Sequence, residues 1–326
     1  MPKELTHWHI ARAVLQRGVP AQVGELIECN PALYYFGAIA HDIGFYDFSK
    51  PTEANIERVA NQLHGVDGED TLDPLIKMME EALSQNNKRN QIAFILGMLT
   101  HFVADSTFHP MVYYMSGNYF AEDPEGRGKA VFRHRLLETA IDLWLENVKP
   151  LKYPLDLITL WRETGEAGRE ALELLVGRYT QLEDENIRKQ VNKAWRNHRL
   201  LQTAFGWSTP WRILAFYRRL GHPSVDKYEA LFYPQPLNLS FFESSLDWLH
   251  PVTGAHHDMT LEDLFDESVE KVITLFERLN TQSIEKWPLL IRALEPLSLD
   301  SGLPYVPVTQ MKYFRTEPIE QGLRIK

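Results

Sequence analysis

The chain has 326 residues, 44% of them hydrophobic, enough to bury one large core or two smaller ones. Its formal charge of −10 excludes a sequence-independent grip on duplex DNA, which needs a basic face. A small phosphate ester remains compatible, because bound divalent metals would reverse the local field.

The first residues, Met1 to His9, contain no apolar run and no small-residue cleavage site, so no signal peptide is expected. The longest apolar runs, such as Ala93 to Thr100 and Ile213 to Tyr217, read as too short to span a bilayer, and the expected location is the cytoplasm. Thr6 can cap a helix through Ile10, Ala11, Val14 and Leu15 that stops near Gly18 and Pro20. The single cysteine, Cys29, permits no intramolecular disulfide and reads as a small buried hydrophobe. Asn30-Pro31 opens a second helix that runs to about Gly44, with Tyr34, Tyr35 and Phe36 expected in the core rather than in a pocket.

Shorter helices are expected over 53–63 and 74–83. The segment from Gln91 to about Thr107 is apolar nearly all round, which predicts a buried central helix, with Pro110 limiting its continuation. A loop at 123–128 precedes a long helix over 129–148. Beyond Pro154, helices are expected over 155–163, 166–180, 184–203, 208–219 and 260–280, with irregular structure over 231–258 and after Ser298. The fold class is all-α. The division expected is a metal-binding helical domain over 1–150 and a helical extension over 151–326 that packs on it.

The central helix carries His101, Asp105 and His109 at i, i+4 and i+8, so the three side chains stack on one face. A buried helix does not carry such groups without a partner, since an unpaired buried charge costs several kcal/mol. A divalent metal satisfies them, and with one cysteine in the chain the ligands must be imidazole and carboxylate. His134 and Glu138 repeat the one-turn spacing on the next apolar helix. Upstream lie Thr6-His7 at the start of the first helix and Gly37-Ala-Ile-Ala-His-Asp42-Ile at the end of the second.

These pieces resemble the zinc-dependent phospholipase C family, which shares its helical fold with the fungal single-strand nucleases. The residues that carry the resemblance are Thr6-His7 with Ile10-Ala11, the Gly37 to Ile43 run, His64, Leu99 to Thr107, His109-Pro110, and His134 with Glu138, in the family's order over roughly 5–145. The resemblance implies a multi-helix bundle of that type with additional C-terminal helices, holding two or three zinc ions. It makes Asp42, His64, His101 and Asp105 the ligands of one zinc, with Asp105 bridging to a neighbour. His109, His134 and Glu138 would hold a second, and His7 with Asp105 a third. Secreted members complete that third site with a processed N-terminal tryptophan. Here six residues precede His7, so the third site is expected to be under-ligated, or filled by water or another residue such as His9. The implied activity is hydrolysis of a phosphoric ester, with a lipid headgroup as the family-typical substrate and Asp42 orienting or deprotonating the attacking water.

Two other readings stay open. His41-Asp42-Ile-Gly also looks like the central motif of the HD phosphohydrolases, in which His134 would have no role. A non-catalytic helical protein with metals that only staple the fold is the other. Outside the cluster, His198, His222 and His250 are expected at the surface or as caps, and His256-His257-Asp258 in an irregular segment whose candidate roles are a lid or an added ligand. The stretch from Trp207 to Trp211 is expected to pack on the core rather than face a membrane.

Overall fold

A long apolar helix has to be surrounded, and the rest of the chain is arranged around one. The computed structural model describes residues 3–48, 56–85, 90–151, 155–180, 183–221 and 225–324. In its N-terminal part, α1 (Glu4–Arg17), α2 (Ala21–Cys29) and α3 (Pro31–Gly37) lead into a 3-10 helix, Ala40–Tyr46. Then follow α4 (Glu57–His64), α5 (Asp73–Ser84), α6 (Gln91–Ser116) and α7 (Pro124–Val148). Helix α6 is the axis, packed against α1, α3, α5, α7 and α8 (Leu157–Gly177).

Further along, α9 (Asp184–Phe205) lies on α8 and on the 3-10 helix, α10 (Ser208–Arg219) on α11 (Asp226–Glu229), and α11 on α7. A two-stranded antiparallel sheet joins β1 (Leu246–Leu249) to β2 (His256–Met259), with Leu246 opposite Met259. Helix α12 (Leu261–Asn280) returns to cover α6 and α1, followed by α13 (Trp287–Arg292) and, near the end, α14 (Glu320–Leu323). One continuous apolar core runs from Trp8 to Leu323.

Local chemistry explains most boundaries. Asn30 caps α3 with Pro31 at its first position, and Thr260 with Asp263 forms a capping box on α12. Helix α7 starts at Pro124, earlier than 129, because Asp123 accepts from the backbone N–H groups of Glu125 and Gly126 and so outweighs two glycines in the first turn. The two helices expected over 155–163 and 166–180 are both present within α8, separated at Gly165, whose φ of 56° and ψ of −134° are not helical. Of the helix expected over 53–63, residues 53–55 lie outside the described residues.

Several expectations are corrected. The helix expected from 31 to 44 breaks at Ile39 (φ −126°, ψ 5°) and rewinds as the 3-10 helix. Just before the break α3 presses on α6 backbone to backbone: a Cβ on Gly37 would lie 2.0 Å from the Phe94 carbonyl oxygen, and one on Gly97 2.0 Å from that of Tyr34. Helix α6 passes straight through Pro110 to Ser116. Proline there removes the donor to the Ser106 carbonyl, and Gly302 of the C-terminal segment packs against that carbonyl, where a Cβ would lie at 2.6 Å.

Helix α2 was not anticipated, and Cys29 at its end is exposed rather than buried. The segment expected to be irregular over 231–258 contains the hairpin, whose four-residue strands are too short to show an alternating pattern. Trp207 is more than half exposed instead of packed on the core. Tyr34 and Phe36 are core residues, with the Tyr34 hydroxyl bonded to Ala11 and Thr100.

Candidate metal centre

Five elements, α6 among them, bring polar side chains to one buried point. His101, Asp105 and His109 point from one face of α6 and are fully buried. Asp42 comes from the 3-10 helix, and His64 from the last position of α4, where Gly65 turns the chain in the left-handed region. His7 comes from α1, whose first turn is held by Asp142 of α7: Oδ1 accepts from both the Thr6 N–H (2.8 Å) and the Thr6 hydroxyl (2.6 Å). His134 and Glu138 come from α7.

Asp105 is the hub. Its Oδ2 lies 2.9 Å from Nε2 of His101 and 3.4 Å from Nε2 of His64. Its Oδ1 faces the other way, 3.3 Å from Nε2 of His7 and 3.8 Å from Nε2 of His109. Asp42 closes the first side, with Oδ1 at 3.3 Å from His64 and 3.6 Å from His101. On the second side Nε2 of His134 lies 3.0 Å from Oε1 of Glu138. The donor atoms of Asp42, His64, His101 and Asp105 lie within 4.8 Å of one another, and so do those of His109, His134 and Glu138.

Ring orientation is set from behind. Nδ1 of His64 donates to the Ala60 carbonyl (2.7 Å), that of His101 to Ala38 (2.8 Å) and that of His109 to Leu299 (2.9 Å). Each Nε2 is thereby left as a lone pair aimed at the cluster, the arrangement that metal-ligating histidines use. Those three Nε2 atoms, Oδ1 of Asp42, both oxygens of Asp105 and both nitrogens of His7 make no hydrogen bond among the described residues.

The electrostatics carry the same signature. Burial works against charge on Asp105, but His109, His101 and His7 outweigh it and hold the carboxyl well below its usual range. Asp42 is lowered in the same way, against burial, chiefly by His101. Burial also opposes charge on His64, yet Asp105 and Asp42 push it up to about 10. His7 drops to about 3 because burial dominates there. A proton and a metal would compete for the Nε2 lone pair of His64. Orphaned buried nitrogens around ionised carboxylates, with no thiolate, fit zinc.

All eight residues singled out in the sequence converge here. His9 does not join them. Two positions along a helix turn the side chain to nearly the opposite face, and its Nε2 pairs with Glu146 at 3.1 Å. His41 belongs to neither ligand group; its ring stacks behind His101 at 4.4 Å, on the side away from His7, which stacks on the same ring at 4.0 Å. His256 and His257 are engaged in the hairpin, with Asp247 and Trp248. His198, expected at the surface or as a cap, is buried and bonded to Glu4. His250 does cap a turn, accepting from Val252 and Thr253, and His222 lies outside the described residues.

Sequence reasoning missed Asp300, whose Oδ1 lies 3.2 Å from Nδ1 of His109, and the aromatic wall of Tyr113 and Tyr119 beside His134. Tyr113 had a signal: it follows His109 by four residues, on the same face of a helix that continues past Pro110. Asp300 had none, being in an irregular segment far along the chain.

A family model for zinc-dependent phospholipase C matches residues 6–202, more than half of the chain and all eight ligand candidates. The chain belongs to the zinc-dependent phospholipase C family. No curated protein and no solved structure matches it. The zinc-dependent phospholipase C match ends before Leu299 and Asp300, so the backing of His109 comes from outside the matched part.

Proposed function

We propose that this chain is a zinc-dependent phosphoric ester hydrolase acting on a phosphodiester, with the phospholipid headgroup as the substrate class its family suggests. The observation that carries the reading is that buried Asp105 faces two ways, with Oδ2 toward His101 and His64 and Oδ1 toward His7 and His109. Asp42, His64, His101 and Asp105 would hold one zinc, and His109, His134 and Glu138 a second. His7 with Oδ1 of Asp105 would hold a third. When bound, zinc supplies an acidified water and Lewis-acid stabilisation of the phosphoryl oxygens.

The chain's own residues do the rest. Asp42 is the carboxylate of the first group that keeps contact with solvent, its side chain 6% exposed against 0% for Asp105. That exposure supports Asp42 as the group that orients the attacking water and takes its proton. The carbonyls of Ala38, Ala60 and Leu299 hold the three imidazoles in one tautomer, so that no ring must turn during a reaction cycle. Tyr113 and Tyr119 shield the His134 side from bulk water. Its thiol-free, carboxylate-rich donor set favours this reading over metals that only staple the fold.

Metal analysis by mass spectrometry on untagged protein, paired with turnover of a chromogenic phosphodiester, tests the proposal. Two or three zinc per chain with chelator-sensitive hydrolysis is the expected result. Tightly held zinc with no hydrolysis of any phosphoester would turn the reading to a binding module, and no metal at all would sink it.

A further inference from the structure

Helix α10 is amphipathic with its apolar side turned outward. Of its own residues only Ala215 is buried, while Ile213, Phe216 and the adjoining Leu220 are each more than half exposed. These three stand at i, i+3 and i+7 and so form one stripe. Trp207, just before the helix, and Leu200 on α9 are equally exposed. Arg212 and Arg219 flank the stripe, exposed and in no ion pair among the described residues.

The charge of this region is the reverse of the whole. Between Glu185 and Asp226 the sequence has no acidic residue and eight Lys or Arg, in a chain of net charge −10. Exposed aromatic and aliphatic side chains set among unpaired arginines are costly in water and match a surface that is apolar beneath an anionic layer.

We propose that this face of α10 docks the protein on an anionic phospholipid surface. Phe216, Ile213 and Leu220 enter the boundary between headgroups and acyl chains, and Arg212 and Arg219 pair with lipid phosphates. Two copies of the face would bring the arginines of both together, which disfavours self-association. The acidic remainder of the molecule is repelled by the same bilayer, so the patch also orients the chain on it. Helix α10 packs on α11, whose Lys227 carbonyl accepts from Arg135, the neighbour of His134. A chain of contacts thus runs from the docking face to the second ligand group, yet docking uses residues beyond the matched segment 6–202 and requires no hydrolysis.

Co-sedimentation of the zinc-loaded full chain with phosphatidylcholine vesicles, with and without phosphatidylglycerol, reads this directly. Binding is expected on the anionic vesicles and should weaken as salt rises. The pair Arg212→Glu and Arg219→Glu, and separately the pair Ile213→Ser and Phe216→Ser, should each weaken it by about tenfold or more, with melting temperature unchanged. Equal binding to neutral and anionic vesicles, no binding, or variants that bind like the parent would overturn the proposal. So would a concentration-dependent dimer that Phe216→Ser abolishes, since the face would then belong to a second copy. Because binding is scored without turnover, a catalytically silent protein that still sediments leaves this proposal standing while removing the hydrolase reading.

Discussion

Nδ1 of His109 donates to the backbone carbonyl of Leu299 at 2.9 Å, across 190 residues of sequence. The same ring nitrogen has Oδ1 of Asp300 at 3.2 Å. A candidate ligand encoded early in the chain is therefore oriented by a segment near its end. The same segment is laced to the His64 carbonyl by the Leu299 N–H at 2.8 Å.

Removing the carboxylate behind His109 should weaken zinc at the second group and leave the first alone. Asp300→Ala is expected to lower affinity for one zinc by about tenfold or more, the usual effect of losing a partner behind a metal-bound histidine. Chelator competition monitored by a zinc dye checks this. Unchanged affinity would mean that the Leu299 carbonyl suffices.

His134→Ala should remove one zinc per chain and abolish phosphodiester turnover, because it opens the group it shares with His109 and Glu138. His41→Ala should keep the full zinc content, since His41 lies in neither group. The opposite pattern would favour the centre built on His41-Asp42.

Gly302→Ala is expected to destabilise the protein by about 1–3 kcal/mol. The residue has φ +67°, and its Cβ would lie 2.6 Å from the Ser106 carbonyl oxygen that Pro110 leaves without a helical donor. Chemical denaturation of the metal-free protein measures it, and a change near zero would show that the C-terminal segment yields.

Acid stability should depend on Glu4. Burial opposes its ionisation, but the hydrogen bond and charge of His198, with Lys3, hold it at about 2, below the ordinary 4.5. A depressed folded value means stabilisation that is complete above pH 4.5 and lost as pH falls from there through about 2. Glu4→Gln should therefore be less stable than the parent near neutrality, and the gap should close across that window. A gap of constant size from neutrality into acid would contradict this.

Much of the centre was legible because helical period is local. His101, Asp105 and His109 share a face whatever packs around them, and His134 with Glu138 obeys the same rule. His7, Asp42 and His64 have no such spacing and were found only through the ordered family motifs. His198 was misjudged because its partner, Glu4, lies 194 residues away. Trp207 was misplaced because an aromatic reads as core unless its neighbours are known.

The eight candidate ligands before residue 140 were thus legible in the sequence alone, through periodicity and motif order. Only the tertiary structure decided that α6 continues through Pro110, that Leu299 and Asp300 stand behind His109, and that the apolar stripe of α10 faces outward. Each depends on contacts between segments far apart in the chain, where a residue's own pattern carries no information about what it meets.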